Sequence, residues 1–280
     1  YIRRRVKQAL AMWSHNGVQS MQSDLRTYDR LREAFRGGDT HTNRHWARHI
    51  IADVWSYDRS SSYPDVIVHC KFPMTKFREE ECTFKRLQFL LDNGRAVLLK
   101  IRFVDLELKN PRIGNPYIPV AKCVEPGFKK PKNVVVDNGR VLAARCCELA
   151  MTDIDLEIIS QQYKWDWDKT TIEWMESARY GYLPQPLRDL VIDLYRVKTS
   201  LKGVAGHEIQ YAHSKGEINS CYGMMCQRLI TNPILYNNGN WKPDPNFNRE
   251  AEYEKIRKSA FLNYAWAVWV TSWARKRLSE

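Results

Sequence analysis

Along some stretches of the chain apolar residues alternate with polar ones, and along others they recur every three to four residues, so both strands and helices are predicted. The first 50 residues are polar and basic, with a helix predicted up to about Ala34 and a glycine turn in AFRGGDT. In HIIADVWSYD, Ile51, Asp53, Trp55 and Tyr57 face one way and Ala52, Val54, Ser56 and Asp58 the other, which predicts a strand ending at Asp58. Ser60 to Ser62 can cap a helix and Pro64 suits its first turn, so YPDVIVHC is predicted to start one. VLLKIRFV, Val97 to Val104, sets Leu99, Ile101 and Phe103 against Leu98, Lys100 and Arg102, as in a half-buried strand. Asn138-Gly139 between β-branched flanks signals a hairpin, and Thr152 with Asp155 three residues on predicts a capping box before DLEIISQQY.

Farther along, PQPLRDLVIDLYRVKTSLKG carries Leu187, Leu190, Val191, Leu194 and Tyr195 at helical spacing, with Pro186 near its start and Gly203 at its end. A short loop rich in glycine and histidine leads to a second predicted helix, KGEINSCYGMMCQRLI, antiparallel to the first. NPILYNNGNWKPDPN reads as a loop or hairpin, and REAEYEKIRKSAFLNYAWAVWVTSWARKRL as one long final helix, polar first and apolar later. These patterns describe a mixed α+β body.

Composition narrows the partners. At 280 residues the chain can form one large or two small domains and bury about 75% of its unfolded surface. A net charge of +12 points to a polyanion such as nucleic acid or nucleoside triphosphates, although a basic solvated surface carries the same charge. The seven cysteines form no CxxC pair, and Cys146 and Cys147 are adjacent, which argues against a zinc knuckle or a disulfide framework and for a reducing, cytoplasmic setting. The most apolar run, Phe261 to Ala274, is shorter than the ~20 residues of a bilayer span, so no membrane partner is expected.

On the second helix Lys215, Asn219, Tyr222 and Gly223 fall within an arc of about 100°. Such a stripe suits a nucleotide: ammonium for phosphate, a ring for sugar or base, and glycine where another backbone comes close. An amphipathic helix with a surface lysine would show it too.

The two constellations together carry a resemblance. Asp58-Arg59-Ser60-Ser61-Ser62-Tyr63-Pro64, a DxxSxYP pattern, followed much later by KxxxNSxYG from Lys215, resembles motifs A and B of family B DNA polymerases, especially the protein-primed phage and organellar branch. AFRGGDT resembles that branch's glycine-containing linker, LYRVKTSLKG its first fingers helix, and WAVWVTSWARKRL the palm helix after motif B, so the likeness covers nearly the whole chain. It implies a polymerase palm, an antiparallel sheet with helices, plus two-helix fingers. The implied division is a lead-in over 1–50, a first palm part over 51–110, an insertion resembling the terminal-protein region over 111–180, fingers over 181–230 and a palm helix region over 231–280.

The resemblance also implies roles. Asp58 would bind Mg²⁺ with the Arg59 carbonyl. Amides near Ser61, Ser62 and Tyr63 would cradle a deoxynucleoside triphosphate, with Lys198 and Lys215 neutralising its phosphates. Tyr63 would be the steric gate with Tyr222 beside it, Asn219 would position nucleotide and template, and Gly37, Gly38, Tyr222 and Gly223 would approach primer–template DNA. The family's second metal-binding aspartate lies in a YxDTD hairpin after motif B, and no such pattern occurs here, so the segment alone is expected not to polymerise. Asp153, Asp155, Asp166 and Asp168 precede motif B and are read as cap or surface residues. Ser62 replaces the family's usual leucine, which loosens packing without removing a ligand. The basic segment KCVEPGFKKPKNVVVDNGRV lies where the branch contacts its priming protein, so a terminal protein is a candidate partner. Two other readings stay open: a non-catalytic nucleic-acid or nucleotide-binding module, and a subunit of a split polymerase.

Overall fold

A computed structural model describes residues 1–13, 17–128, 131–237 and 239–279. In chain order the elements are α1 (Ile2–Trp13), α2 (Leu25–Ala34), α3 (Ser62–His69), β1 (Lys71–Pro73), β2 (Arg78–Glu79), α4 (Phe84–Asp92), β3 (Arg95–Leu108), β4 (Val134–Asp137) and β5 (Arg140–Thr152). They continue with α5 (Asp153–Gln162), β6 (Tyr163–Lys164), β7 (Thr171–Tyr182), α6 (Gln185–Ser200), α7 (Glu208–Met225), β8 (Ile234–Asn237), β9 (Asn240–Pro243), α8 (Arg249–Ser259) and α9 (Tyr264–Ser279). Residues 14–16 of the first predicted helix, Lys129 and Lys130 of the basic segment, and Asn238 of the β8–β9 hairpin lie outside the described residues.

Among the described residues one antiparallel sheet runs β1-β7-β3-β5-β4, with β2 on β7 and β6 on β3. Central β3 shows why both faces are covered. Val97, Leu99, Ile101 and Phe103 enter a core with Leu87 and Leu90 of α4 and Ile158 and Ile159 of α5. Ala96 and Leu98 enter the opposite core, with α2, α3, α6, α7 and α9. Leu98, grouped by alternation with Lys100 and Arg102, is therefore buried rather than solvent-facing. The sheet also runs across the boundary expected between residues 110 and 111, because β5 and β7 flank β3.

The local signals for the β4–β5 hairpin and for α5 and α6 are matched by the structure. Asn138 (φ 47°) and Gly139 (φ 76°) are both left-handed, as a two-residue hairpin turn requires. Thr152 and Asp155 form the reciprocal capping box of α5. Pro186 lies in the first turn of α6, and Gly203 beyond it has a φ of 77°.

Three expectations need correction. Residues 51–58 are not a strand: they are exposed coil, with Ile51, Val54, Trp55 and Tyr57 open to solvent. A strand needs a neighbour for its backbone donors and acceptors, and among the described residues none pairs with this segment. Residues 249–278 form two helices rather than one. Between them Gln19 donates to the Ala260 carbonyl, Gln22 to that of Leu262, and Asn263 to that of Met21. The Asn263 side chain also accepts the Ala265 N–H and caps α9. The opening helix is likewise two, α1 and α2, with Asp24 capping α2 through the Thr27 N–H.

The first half of helix α9, residues 264–270, is apolar all round and accordingly buried, Trp266 and Trp269 completely. The Trp269 indole donates to Tyr180, whose hydroxyl donates to Asp153. Asp153, the first residue of α5, is thus half-buried and hydrogen-bonded rather than a free surface residue. Burial pushes its pKa up to about 7, against the downward pull of the bonds from Tyr180 and the Val97 N–H. Since the folded value lies above the ordinary 3.8, the folded chain keeps a proton that the unfolded chain releases, and this group's contribution to stability falls as pH rises from about 4 to about 7. Asp153→Asn should remove that slope, at most about 1.4 kcal/mol per pH unit, in denaturation curves across that window. Parallel profiles for the two proteins would contradict it.

Candidate functional site

The beginning of α3 is where the candidate residues converge. Ser61 precedes the helix in a left-handed conformation (φ 54°), and its carbonyl accepts the Asp65 N–H. A helix leaves its first N–H groups without internal partners, and Pro64 has none to offer. The amides of Ser62 and Tyr63 are therefore the donors left at this end, where the helix dipole favours an anion. Lys198, from the last turn of α6, reaches across and donates to the Ser61 hydroxyl at 2.6 Å. Its residue is only 9% exposed, so a long cationic side chain is held along a packed wall with its ammonium at the helix start.

Tyr63, one residue into α3, meets Tyr222 of α7. Their ring centroids are 4.4 Å apart and the planes are inclined by 39°. Aromatic pairs at this separation attract beyond their area burial. Gly38 adjoins them from the glycine turn, where an added Cβ would stand 3.1 Å from the Tyr63 hydroxyl. A cleft of about 410 Å³ opens beside Ser61 between α3 and α6, with Ser60, Asp65 and His69 on one wall and Val191, Ile192 and Tyr195 on the other.

Asp65, which the motif reading passed over, organises the outer side. Its carboxylate takes Arg277 of α9, Arg59 at 3.6 Å and His69 at 2.8 Å. Arg59 also donates to the Arg277 carbonyl at 3.3 Å, so its side chain is engaged there. The (i, i+4) spacing of Asp65 and His69 was the available sequence signal, but Arg277 lies 212 residues away and gives none.

The other candidates spread outward. Lys215 and Asn219 are exposed on α7, and Lys215 stands about 10 Å along the axis from Tyr222 at 1.5 Å per residue. Among the described residues, adjacent backbone aside, no atom lies within 4 Å of a Cβ placed on Gly37 or Gly223, so packing against the rest of the chain does not demand glycine at either position. Asp58 is exposed coil among its neighbours. Asp155 is a buried cap, and Asp166 accepts Lys169 and the amides of Asp168 and Lys169 in a surface turn. Among the described residues no group of three or more His, Cys, Asp or Glu side chains could hold a metal ion. One carboxylate and an adjacent backbone carbonyl nevertheless fit Mg²⁺ in kind, since that ion takes few protein oxygens and completes its shell with water and phosphate.

Sequence reasoning missed the support beneath this site. Arg275 of α9 donates to the carbonyls of Arg36 and Gly37, both at 2.8 Å, and to Asp155 at 2.7 Å. Its Nε donates to the Tyr117 hydroxyl at 2.8 Å, and Tyr117 in turn donates to Asp155. From the other side Arg140 and Asn115 hold Asp39. The glycine turn is thereby tied to α9, α5 and the 115–140 region at once.

A family profile described as DNA polymerase type B, organellar and viral, matches residues 7–265. The chain belongs to that family. Among solved structures, the phi29 DNA polymerase complexed with primer–template DNA, a post-translocation binary complex, superposes with a TM-score of 0.69 at 17% identity, over 98% of this chain and 42% of that one. The phi29 enzyme with primer–template DNA and incoming nucleotide gives a TM-score of 0.67 over 98% and 44%, and the one with single-stranded DNA 0.68 over 98% and 43%, both at 17% identity. No curated protein matches the chain in sequence. The type B fold accounts for the mixed α+β architecture, and the chain spans less than half the length of the polymerases it resembles. Among the described residues no helix is long and apolar enough to cross a membrane.

Proposed function

We propose that this chain is the nucleotide-handling part of a template-directed DNA polymerase, taking deoxynucleoside triphosphates against a primer–template duplex. The observation that carries the reading is the pairing at the start of α3: Lys198 on Ser61, and Tyr63 against Tyr222, which brings the consecutive helices α6 and α7 onto α3 from more than 130 residues away. The phosphates would lie at the amides of Ser62 and Tyr63, with Lys198 supplying charge. The sugar would rest on the Tyr63 ring, whose position denies room to a 2′-hydroxyl. Lys215 and Asn219, along the same face of α7, would reach the outer phosphate and the template, and Gly37, Gly38 and Gly223 would let the duplex come near.

Asp58 and the Arg59 carbonyl would hold Mg²⁺, which when bound supplies charge neutralisation during phosphoryl transfer. With the Arg59 side chain occupied by Asp65 and Arg277, its carbonyl is the group left for an ion.

Tyr63→Val tests the reading. Forcing an extra hydroxyl against a packed ring costs about 1–3 kcal/mol, which corresponds to roughly fivefold to somewhat over a hundredfold in affinity. The wild-type chain on primer–template DNA with Mg²⁺ should therefore prefer a complementary deoxynucleoside triphosphate over its ribonucleotide by about that factor, and the variant should lose most of the preference. Equal preference in both proteins would remove Tyr63 from the role. Binding confined to DNA, with no nucleotide bound, would favour a non-catalytic nucleic-acid module.

A further inference from the structure

Gly38 does not have the backbone conformation that usually explains a glycine. Its φ lies outside the left-handed region, so a side chain would meet no backbone strain. Among the described residues, its chain neighbours aside, the one atom within 4 Å of a Cβ placed there is the Tyr63 hydroxyl oxygen, at 3.1 Å, closer than an ordinary van der Waals contact. Gly37, its neighbour, would meet nothing. The space left by the missing side chain is thus the space the Tyr63 hydroxyl uses. Residues 35–43 form no regular secondary structure, so something else must fix the turn. Arg275 does so from below, at 2% exposure, through the carbonyls of Arg36 and Gly37. Its remaining donors are committed to Asp155, Tyr117 and Ser272. Asp39 is fixed from the side by Arg140 and Asn115. A turn pinned on both flanks of Gly38 cannot retreat from a new side chain, so the Tyr63 ring must move instead.

We propose that Gly38 is a specificity-determining position and Arg275 its positioning residue: together they set how far the Tyr63 ring stands towards Tyr222, and so how strictly the site excludes a ribose. The proposal rests on the nucleotide reading above and adds to it the residues that place the gate. Gly38→Ala should push the ring by a few tenths of an ångström and Gly38→Val farther, giving a graded series on an exposed turn that leaves the core intact. Arg275→Lys keeps one cation, but a single ammonium cannot reach the Arg36 and Gly37 carbonyls and Asp155 at once as Nη1 and Nη2 do, and it should loosen the same contact.

The test uses the chain with 3-fluorotyrosine at position 63 and measures both its ¹⁹F resonance and the binding preference for a deoxynucleoside triphosphate over its ribonucleotide on primer–template DNA. The expected result is a resonance displaced in the order Gly38→Ala, then Gly38→Val, unmoved in Gly37→Ala, with the preference falling by about threefold and then tenfold or more across the Gly38 series. If Arg275→Lys fails to fold, the Gly38 series decides alone. Gly38 variants whose resonance and preference both match wild type, while Tyr63→Val abolishes the preference, would overturn the proposal and spare the nucleotide reading. A displaced resonance with an unchanged preference would equally overturn it. A preference unaffected by Tyr63→Val itself would instead bring down the gate reading on which the proposal stands.

Discussion

Replacing Arg275 by methionine is expected to lower folding stability by about 3–5 kcal/mol, the range for removing one partner of a buried ion pair. Against a typical total of about 5–15 kcal/mol this is a large fraction. Both Arg275 and Asp155 are buried, at 2% and 0% exposure, and methionine fills much of the volume while leaving Asp155 without its countercharge. The carbonyls of Arg36 and Gly37 lose their donor at the same time. The pH dependence should change sign as well. In the wild type burial would raise the Asp155 pKa, but Arg275 and Arg36 hold it well below the ordinary 3.8, so its contribution is present above about pH 4 and is lost as pH falls further. Without Arg275, burial is opposed mainly by Arg36 and Tyr117, the folded pKa rises, and stability should decline with rising pH instead. Denaturant titrations at several pH values check both parts. A loss below about 1 kcal/mol, as for an exposed pair, would show that the network does not hold the fold together.

Lys198→Ala should weaken binding of a deoxynucleoside triphosphate to the chain on primer–template DNA by about tenfold to a hundredfold. A hydrogen bond to a charged group contributes about 1.5–3 kcal/mol, and each 1.4 kcal/mol is about tenfold in affinity. Lys198 suits this use because its stem is packed, so little entropy remains to be lost when its ammonium meets a phosphate. Its bond to Ser61 already places it at the start of α3. Titrations at low and at high salt separate a local contact from diffuse attraction by the +12 net charge, because the latter is screened. An affinity unchanged at both salt concentrations would assign Lys198 to packing alone.

What the sequence disclosed, and what it hid, follows from how local each cause is. The hairpin turn at Asn138 and Gly139, the Thr152 capping box and the start of α6 at Pro186 are fixed by residues within a few positions of each other. Tyr63 and Tyr222 were paired through the two motifs, and the structure places their rings in contact. The Arg275 network gave no such signal, because the groups it joins sit near 36, 117, 155 and 275, and no short window spans two of those four regions. Residues 51–58 show the opposite failure. Their alternation is real, but alternation states only which side chains would share a face, and the backbone pairing that makes a strand must come from elsewhere. The break before α9 escaped for a related reason, since Gln19 and Gln22, which pin Ala260 and Leu262, lie about 240 residues earlier.

The central claim is that the beginning of α3, with Lys198 and the Tyr63–Tyr222 pair, holds an incoming deoxynucleoside triphosphate. A structure of the chain with primer–template DNA, Mg²⁺ and a complementary deoxynucleotide tests this most directly. The account predicts phosphate oxygens at Lys198 Nζ and at the amides of Ser62 and Tyr63, with the sugar on the Tyr63 ring. A nucleotide seated elsewhere, or bound here with its sugar turned away from Tyr63, would contradict it.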